Sequence, residues 1–471
     1  MKRISLSVLY VTLATGCASF QPAPVNTPVQ WPAQWMGDSG TTRELSDRWW
    51  QGYQDPQLER WIDLALANNP GLAATAESVM QADLLLENAG ADLLPSLRAS
   101  GSTGRQRSET AAGQSSQRDS TSLGLSLDYE LDLWGRLAAA RSGALLERDA
   151  TRFDYDNARL SLAAATATTW FEWLALQDRL DVARSNLDIA ERTLALVSAR
   201  YRNGAADRSE LARQETRVLS LRNAVPPLEY QSEQRLAALT VLTGALPYQS
   251  DAPEGDLRSV EIPSANPGAP ADLVLRRPDL AAQEARLMGA EANIEQARAS
   301  LLPSVSLSAA VSLASGGLFS LNDPTTGTSG LASLSQTLFD GGQRRNAVAL
   351  SESQRVALLE SYRGSLLTAF QEVGDALARE DLYRGEEARL ADILDRAEET
   401  LRLTEVRYRE GAADLLTLLD AQTGVFQVRE QISQNRLNRL LASVDLHQAL
   451  GGGWEKPDQA VSSQGPGSAG G

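Results

Sequence analysis

Residues 68–94 read NNPGLAATAESVMQADLLLENAGADLL, and residues 276–302 read RRPDLAAQEARLMGAEANIEQARASLL, 208 positions further on. A second pair, Tyr201-Arg202-Asn203-Gly204-Ala205-Ala206-Asp207 and Tyr408-Arg409-Glu410-Gly411-Ala412-Ala413-Asp414, repeats at an offset of 207. Two landmarks in the same order at nearly the same spacing make the chain a tandem duplication. Its unit of about 200 residues is far longer than the roughly 20–50 residue period of solenoids and propellers, so each copy carries a full set of elements.

Within each copy the pattern predicts helix, two strands, long helix, turn, helix. Segment 136–201 has no proline, and places apolar or small residues at Trp173, Leu176, Leu180, Ala183, Leu187, Ala190, Leu194, Val197 and Tyr201. That alternation of three and four is a coiled-coil seam. The second copy keeps it at Leu390, Leu394, Ala397, Leu401 and Tyr408, with Thr404 where the first has Val197. At 1.5 Å per residue, about 66 residues make a rod on the order of 100 Å.

Both copies switch to period two at corresponding places. Leu123, Leu125, Leu127, Tyr129 and Leu131 alternate with Ser122, Gly124, Ser126, Asp128 and Glu130; Val305, Leu307, Ala309, Val311 and Leu313 alternate mostly with serines. Partner strands are expected at about 96–105 and 331–339, the second marred by Gln336, with exposed loops at 107–120 and 314–330. Strands of about 10 residues with one greasy face are the sequence pattern of a transmembrane β-barrel, although a soluble sheet reads similarly. In lipid, four strands are too few to close, so a barrel has to be shared between chains.

Composition narrows the chemistry. A net charge of -16 leaves no excess of cations for nucleic-acid phosphates. With one cysteine and one histidine, the usual inventory for metal sites and for nucleophilic triads is missing, and no cofactor is expected. Lysine occurs only at Lys2 and Lys456, which leaves no internal P-loop lysine and no Schiff-base candidate. Nothing predicts an enzyme.

The N-terminus reads as an export signal: Lys2 and Arg3, an apolar run from Ile4 to Ala14, then Thr15-Gly16-Cys17, too short to span a bilayer. The expected organisation is a signal peptide at 1–16, an extended arm at 17–45, repeat 1 at 46–246, a linker with five prolines at 247–270, repeat 2 at 271–454 and a low-complexity tail at 455–471.

Six motifs then resemble one family: Trp49-Trp50 with Asp55-Pro56, Arg276-Arg277-Pro278-Asp279-Leu280, Leu133-Trp134-Gly135-Arg136, Phe339-Asp340-Gly341-Gly342, Tyr408-Arg409-Glu410-Gly411 and Leu418-Leu419-Asp420-Ala421-Gln422. In number and order they resemble a TolC-type outer-membrane factor of the NodT/OprM-like lipoprotein branch, which serves resistance-nodulation-division (RND) efflux pumps. The resemblance implies an α+β membrane protein. Long helices would form a periplasmic helical barrel, and each chain would give four strands to a homotrimeric, twelve-stranded barrel in outer-membrane lipid. It further implies a periplasmic adaptor and an inner-membrane RND pump as partners, with small toxic molecules as cargo. Cys17 resembles the lipidation cysteine of such lipoproteins, although Ala14 stands where their signals prefer leucine. Ala18 is not the aspartate associated with inner-membrane retention.

Two glycines, Gly204 and Gly411, suit helix ends that need positive φ. By resemblance the turns around them, with Asn203, Asp207 and Glu410, dock the adaptor. Leu416 and Asp420 are four apart and share one helix face. By resemblance they form rings that close the aperture, braced by Tyr408, and we expect Arg213 or Arg202 to pair with Asp414 or Asp420 of a neighbour. His447, in a polar stretch, is expected to be solvated, and Pro226-Pro227 to interrupt the helix after Leu221. Two other readings stay open: a lipid-anchored coiled-coil scaffold without a pore, and a type I protein-secretion duct.

Overall fold

The computed structural model describes residues 32, 35, 46–109, 111, 113–248, 253–265 and 267–457. The expectations for the signal peptide, Cys17 and most of the arm and tail lie outside them. After a 3-10 turn, Trp49–Tyr53, come α1 (Pro56–Asn68), α2 (Pro70–Ala91), β1 (Ser96–Glu109), β2 (Ser115–Leu131), α3 (Arg136–Arg202) and α4 (Arg208–Leu242). A 3-10 turn at Pro270–Asp272 leads to α5 (Leu273–Arg276), α6 (Pro278–Ala299), β3 (Ser304–Ser315), β4 (Thr325–Ser335), α7 (Gln343–Arg409) and α8 (Leu415–Ala449). The duplication is metrical as well as topological. Helices α2 and α6 both have 22 residues, α3 and α7 both 67, and α4 and α8 both 35.

Contacts group the chain into two compact units, each drawing on both copies. One comprises residues 78–152 and 282–363, the other 46–77, 153–281 and 364–457 with Trp35. The first holds one antiparallel sheet in the order β1-β2-β3-β4. Each sheet half enters its long helix through a carboxylate. Asp132 accepts from the N–H of Leu137 (3.0 Å) and Ala138 (2.8 Å), and Asp340 accepts from Gly342 (2.9 Å) and Arg344 (3.2 Å). These acids satisfy amides that a helix start leaves open and sit at the positive end of its dipole.

The strands outrun the expectation. Residues 107–109 and 115–120, expected as loop, are paired strand, and β4 is Thr325–Ser335 rather than 331–339. Polar residues pair across the ladder along its length, Ser102 with Ser122 (2.9 Å), Thr103 with Thr121 (3.0 Å) and, where a loop was expected, Ser108 with Ser116 (2.9 Å). Such pairs stabilise a sheet as apolar ones do. Gln336 falls beyond the strand, and its Nε2 donates to the Leu301 carbonyl at 3.0 Å.

The second unit holds the main core, in which Trp49, Trp50 and Tyr53 pack with Leu58, Ile62, Trp170, Phe171, Leu174, Leu239 and Leu440. Asp55 caps α1 through the N–H of Gln57 and Leu58 and also accepts from the Trp170 indole at 2.7 Å, so this carboxylate ties the start of α1 to α3. His447 is not solvated. It is 3% exposed, stacks on Trp49 with ring centroids 5.2 Å apart, and its Nδ1 lies 2.8 Å from the Ser443 carbonyl. A carbonyl only accepts, so Nδ1 carries the proton. Polar neighbours in sequence misled because they lie on the other side of the helix. Nor do Pro226 and Pro227 interrupt α4, which is continuous through both. Both are exposed, so water can replace the hydrogen bonds their missing N–H groups forgo.

The seam of α3 is buried from Trp173 to Ala183 and again at Ala190 and Val197, but it does not reach Tyr201. Among the described residues, no helix is long and apolar enough to cross a membrane, and no group of His, Cys, Asp or Glu could hold a metal ion.

Candidate functional site

The two helical hairpins end in turns of matching geometry within the second unit. Gly204 has φ 73° and Gly411 φ 75°. Ala205 N–H reaches Arg200 O (2.8 Å) and Gly204 N–H reaches Tyr201 O (3.1 Å); Ala412 and Gly411 do the same with Arg407 O (2.7 Å) and Tyr408 O (3.1 Å). This paired closure of the last helical turn is the Schellman arrangement, which requires a left-handed residue where glycine stands. The next helices start on aspartates. Asp207 accepts from Ser209 Oγ (2.7 Å) and Glu210 N–H (2.8 Å), and Asp414 from Thr417 Oγ1 (2.6 Å) and Thr417 N–H (2.8 Å). The hydroxyl bonds, then the amide bonds, hold both carboxyls below the usual aspartate range.

The hairpins pack on each other through Val197, Leu211, Tyr408, Leu415, Leu418 and Leu419. Arg200 crosses between them: its guanidinium lies 4.8 Å from the Tyr408 ring centroid and donates to Tyr408 O (3.1 Å) and Ala205 O (3.4 Å). Burial, partly countered by Arg200, raises the Tyr408 phenol above its ordinary pKa. Its hydroxyl has no partner among the described residues. Deeper in, Gln422 donates to Thr193 Oγ1 (3.2 Å), Gln214 to the Ala190 carbonyl (2.7 Å) and Arg217 to Thr423 Oγ1 (3.0 Å).

The expected aperture residues divide into two groups. Leu416 is 52% exposed, and Asp420, one turn later, is exposed on the same face. Their counterparts in the first copy, Ser209 and Arg213, are exposed as well, as is Arg202. Among the described residues, no ion pair joins Arg202 or Arg213 to Asp414 or Asp420 within the chain. Asp414 and Asp207 are occupied as helix caps. The turn residues Asn203, Gly204, Asp207, Glu410 and Gly411 are all exposed. Sequence reading missed Arg200, although its counterpart Arg407 also reaches a turn carbonyl, Ala412 O, at 3.4 Å.

A family model for outer membrane efflux proteins matches residues 61–245 and 269–452, one match per copy. The chain belongs to the outer membrane efflux protein family. It is 37% identical to the pyoverdine export outer membrane protein OpmQ of Pseudomonas putida, over 92% of this chain and 94% of that one. It is 31% identical to the outer membrane protein OprJ of Pseudomonas aeruginosa, over 98% of each. Among solved structures, the open state of the Neisseria gonorrhoeae MtrE outer membrane channel superposes with a TM-score of 0.82 at 27% identity, covering 92% of this chain and 97% of that one. CusC shares the fold, with a TM-score of 0.82 at 24% identity and coverage of 92% and 99%. The TolC-type fold that the motifs implied therefore holds, with a helical barrel joined to a β-barrel. The protein is an outer-membrane channel of an efflux pump, in a family of channels rather than enzymes, and it works with other pump components. This family membership sets aside the scaffold without a pore.

Proposed function

We propose that three copies of this chain close one barrel in the outer membrane and one tunnel beneath it, through which small organic molecules leave passively. The observation that carries this is the open sheet, apolar on one face, with β1 and β4 as its two edges. In hydrocarbon every unsatisfied backbone group costs several kcal/mol, so those edges must meet edges of other copies. Two copies give about eight strands and a filled interior, whereas three give about twelve and leave a bore.

The aperture lies at the paired hairpins. Three Leu416 side chains exclude water and three Asp420 carboxylates repel one another and favour cations. Arg213 and Arg202 of one chain face Asp420 and Asp414 of the next, each exposed pair contributing about 0–1 kcal/mol, while Arg200 braces Tyr408 from within. The exposed turns at Asn203, Gly204, Asp207, Glu410 and Gly411 receive a periplasmic adaptor that couples the duct to an inner-membrane RND pump, and Cys17 carries the lipid anchor. Repeats 46–246 and 271–454, joined by 247–270, are then successive wall segments. Relatives named for pyoverdine export and for toluene efflux differ in cargo, which suits a duct whose selectivity lies in the pump.

Planar-bilayer conductance of the purified protein, with its mass measured in native conditions, tests this. A trimer that conducts supports the duct; an assembly that stays non-conducting whatever is changed at Leu416 and Asp420 sinks it.

A further inference from the structure

The connection between β3 and β4 does not lie over its own hairpin. Thr121 Oγ1 donates to the Gly317 carbonyl at 2.7 Å, and the Phe319 N–H donates to Thr103 Oγ1 at 3.2 Å. Thr103 and Thr121 face each other across β1 and β2, their hydroxyls 3.0 Å apart. Because the Thr121 proton is used on a carbonyl, Thr103 must donate to Thr121 and accept from Phe319. The loop thus leaves β3, passes over β2 and ends on β1, held by a relay with every donor used.

The register fixes which side of the sheet this is. Thr103 and Thr121 continue the row Leu97, Ala99, Gly101 opposite Leu127, Leu125, Leu123, which runs on to Ala309, Val311 and Leu313 in β3. This is the apolar face, which in a membrane barrel turns toward lipid. One step further out, in the same row, Arg105 forms a two-point pair with Asp119 (2.7 and 2.9 Å), and Arg107 follows. Phe319, at the level of the threonines, is 81% exposed and has φ 51°. A bulky residue in the left-handed region is strained by about 1–2 kcal/mol, so the relay holds this ring outward against a local cost.

Along the outward-facing row the order is aliphatic, aromatic, then charged, with Arg105 and Arg107 beside Asp119 and Glu109. A lipid leaflet presents acyl chains, then a boundary favoured by aromatic rings, then anionic headgroups in that order. We propose that the β3–β4 connection is a lipid clasp: Phe319 sits at the acyl–headgroup boundary of the outer leaflet, against a phosphate-bearing acyl lipid whose headgroup meets Arg105 and Arg107. The inference rests on the closed barrel proposed above.

The test uses the full-length protein with Cys17→Ser, leaving one thiol at Phe319→Cys for a nitroxide, in vesicles containing phosphatidylglycerol. Matching labels at Leu125→Cys and Ser312→Cys mark the apolar and polar faces of the sheet. Oxygen should relax the label at 319 several-fold more than a water-soluble nickel chelate does, as at 125, and Thr103→Ala should free the loop and raise nickel access. Phe319→Ala should leave conductance unchanged. Nickel access like that at 312, shielding from both reagents by a neighbouring chain, or a conductance increase in Phe319→Ala would each overturn the clasp. If the labels at 125 and 312 do not differ, the barrel reading fails instead.

Discussion

Arg200 stacks on the Tyr408 ring at 4.8 Å and hydrogen-bonds the Tyr408 carbonyl at 3.1 Å, so one side chain of the first repeat holds the end of the second repeat's long helix. The duplicated tyrosine, Tyr201, is 41% exposed, whereas Tyr408 is 2% exposed. Identical residues in the two copies therefore do different work.

Replacing Arg200 with methionine keeps its bulk and removes its contacts with the Tyr408 ring and with the Tyr408 and Ala205 carbonyls. The expected cost is about 1–2 kcal/mol, together with higher single-channel conductance as the hairpins separate. Tyr408→Phe should be nearly neutral in stability, because the lost hydroxyl has no partner among the described residues. Urea unfolding of the two variants checks the stabilities, and bilayer recordings check the conductance.

Asp420→Ala removes an exposed carboxylate one turn from Leu416. Conductance should rise and cation preference should weaken, with little change in stability. Arg213→Ala, at the equivalent position of the first copy, should raise conductance only if it pairs with a neighbour's carboxylate. Reversal potentials in asymmetric salt measure the selectivity change.

Burial lowers the His447 pKa, offset only in part by the Ser443 carbonyl. The folded state therefore binds fewer protons than the unfolded chain at mildly acidic pH. Stability should be constant above the unfolded pKa of about 6.5 and decline as pH falls below it. Thermal unfolding followed between pH 7.5 and 5, with wild type against His447→Gln, should show a shallower decline in the variant, which cannot titrate.

Glycines with positive φ differ in how much they can tolerate. Added Cβ atoms at Gly411 meet nothing within 4 Å, so Gly411→Ala should cost only the backbone strain of about 1–2 kcal/mol. A Cβ at Gly451 would lie 1.8 Å from the Arg276 carbonyl oxygen, so Gly451→Ala adds a backbone clash and should cost about 3 kcal/mol or more. Urea unfolding monitored by tryptophan fluorescence should separate the two midpoints clearly.

Helix type and order were legible because they follow from the spacing of apolar residues along one chain. The turn glycines and the exposed Leu416–Asp420 face could be read for the same reason. Strand ends were not legible: Arg107, Ser108 and Glu109 look like loop until their cross-strand partners at 115–117 are seen. The same holds for His447, whose burial depends on Trp49, about 400 positions away in the chain.

By itself the sequence determined that this chain is a tandem duplication with apolar-faced strands and paired helical hairpins, since periodicity and repetition are properties of neighbours along the chain. Only the tertiary structure decided how the two copies diverge. The hairpins bring Arg200 onto Tyr408 and leave Tyr201 exposed, and the β3–β4 loop carries Phe319 onto the apolar face. Those contacts join residues about 200 positions apart, and their energies depend on distance and burial that no local pattern encodes.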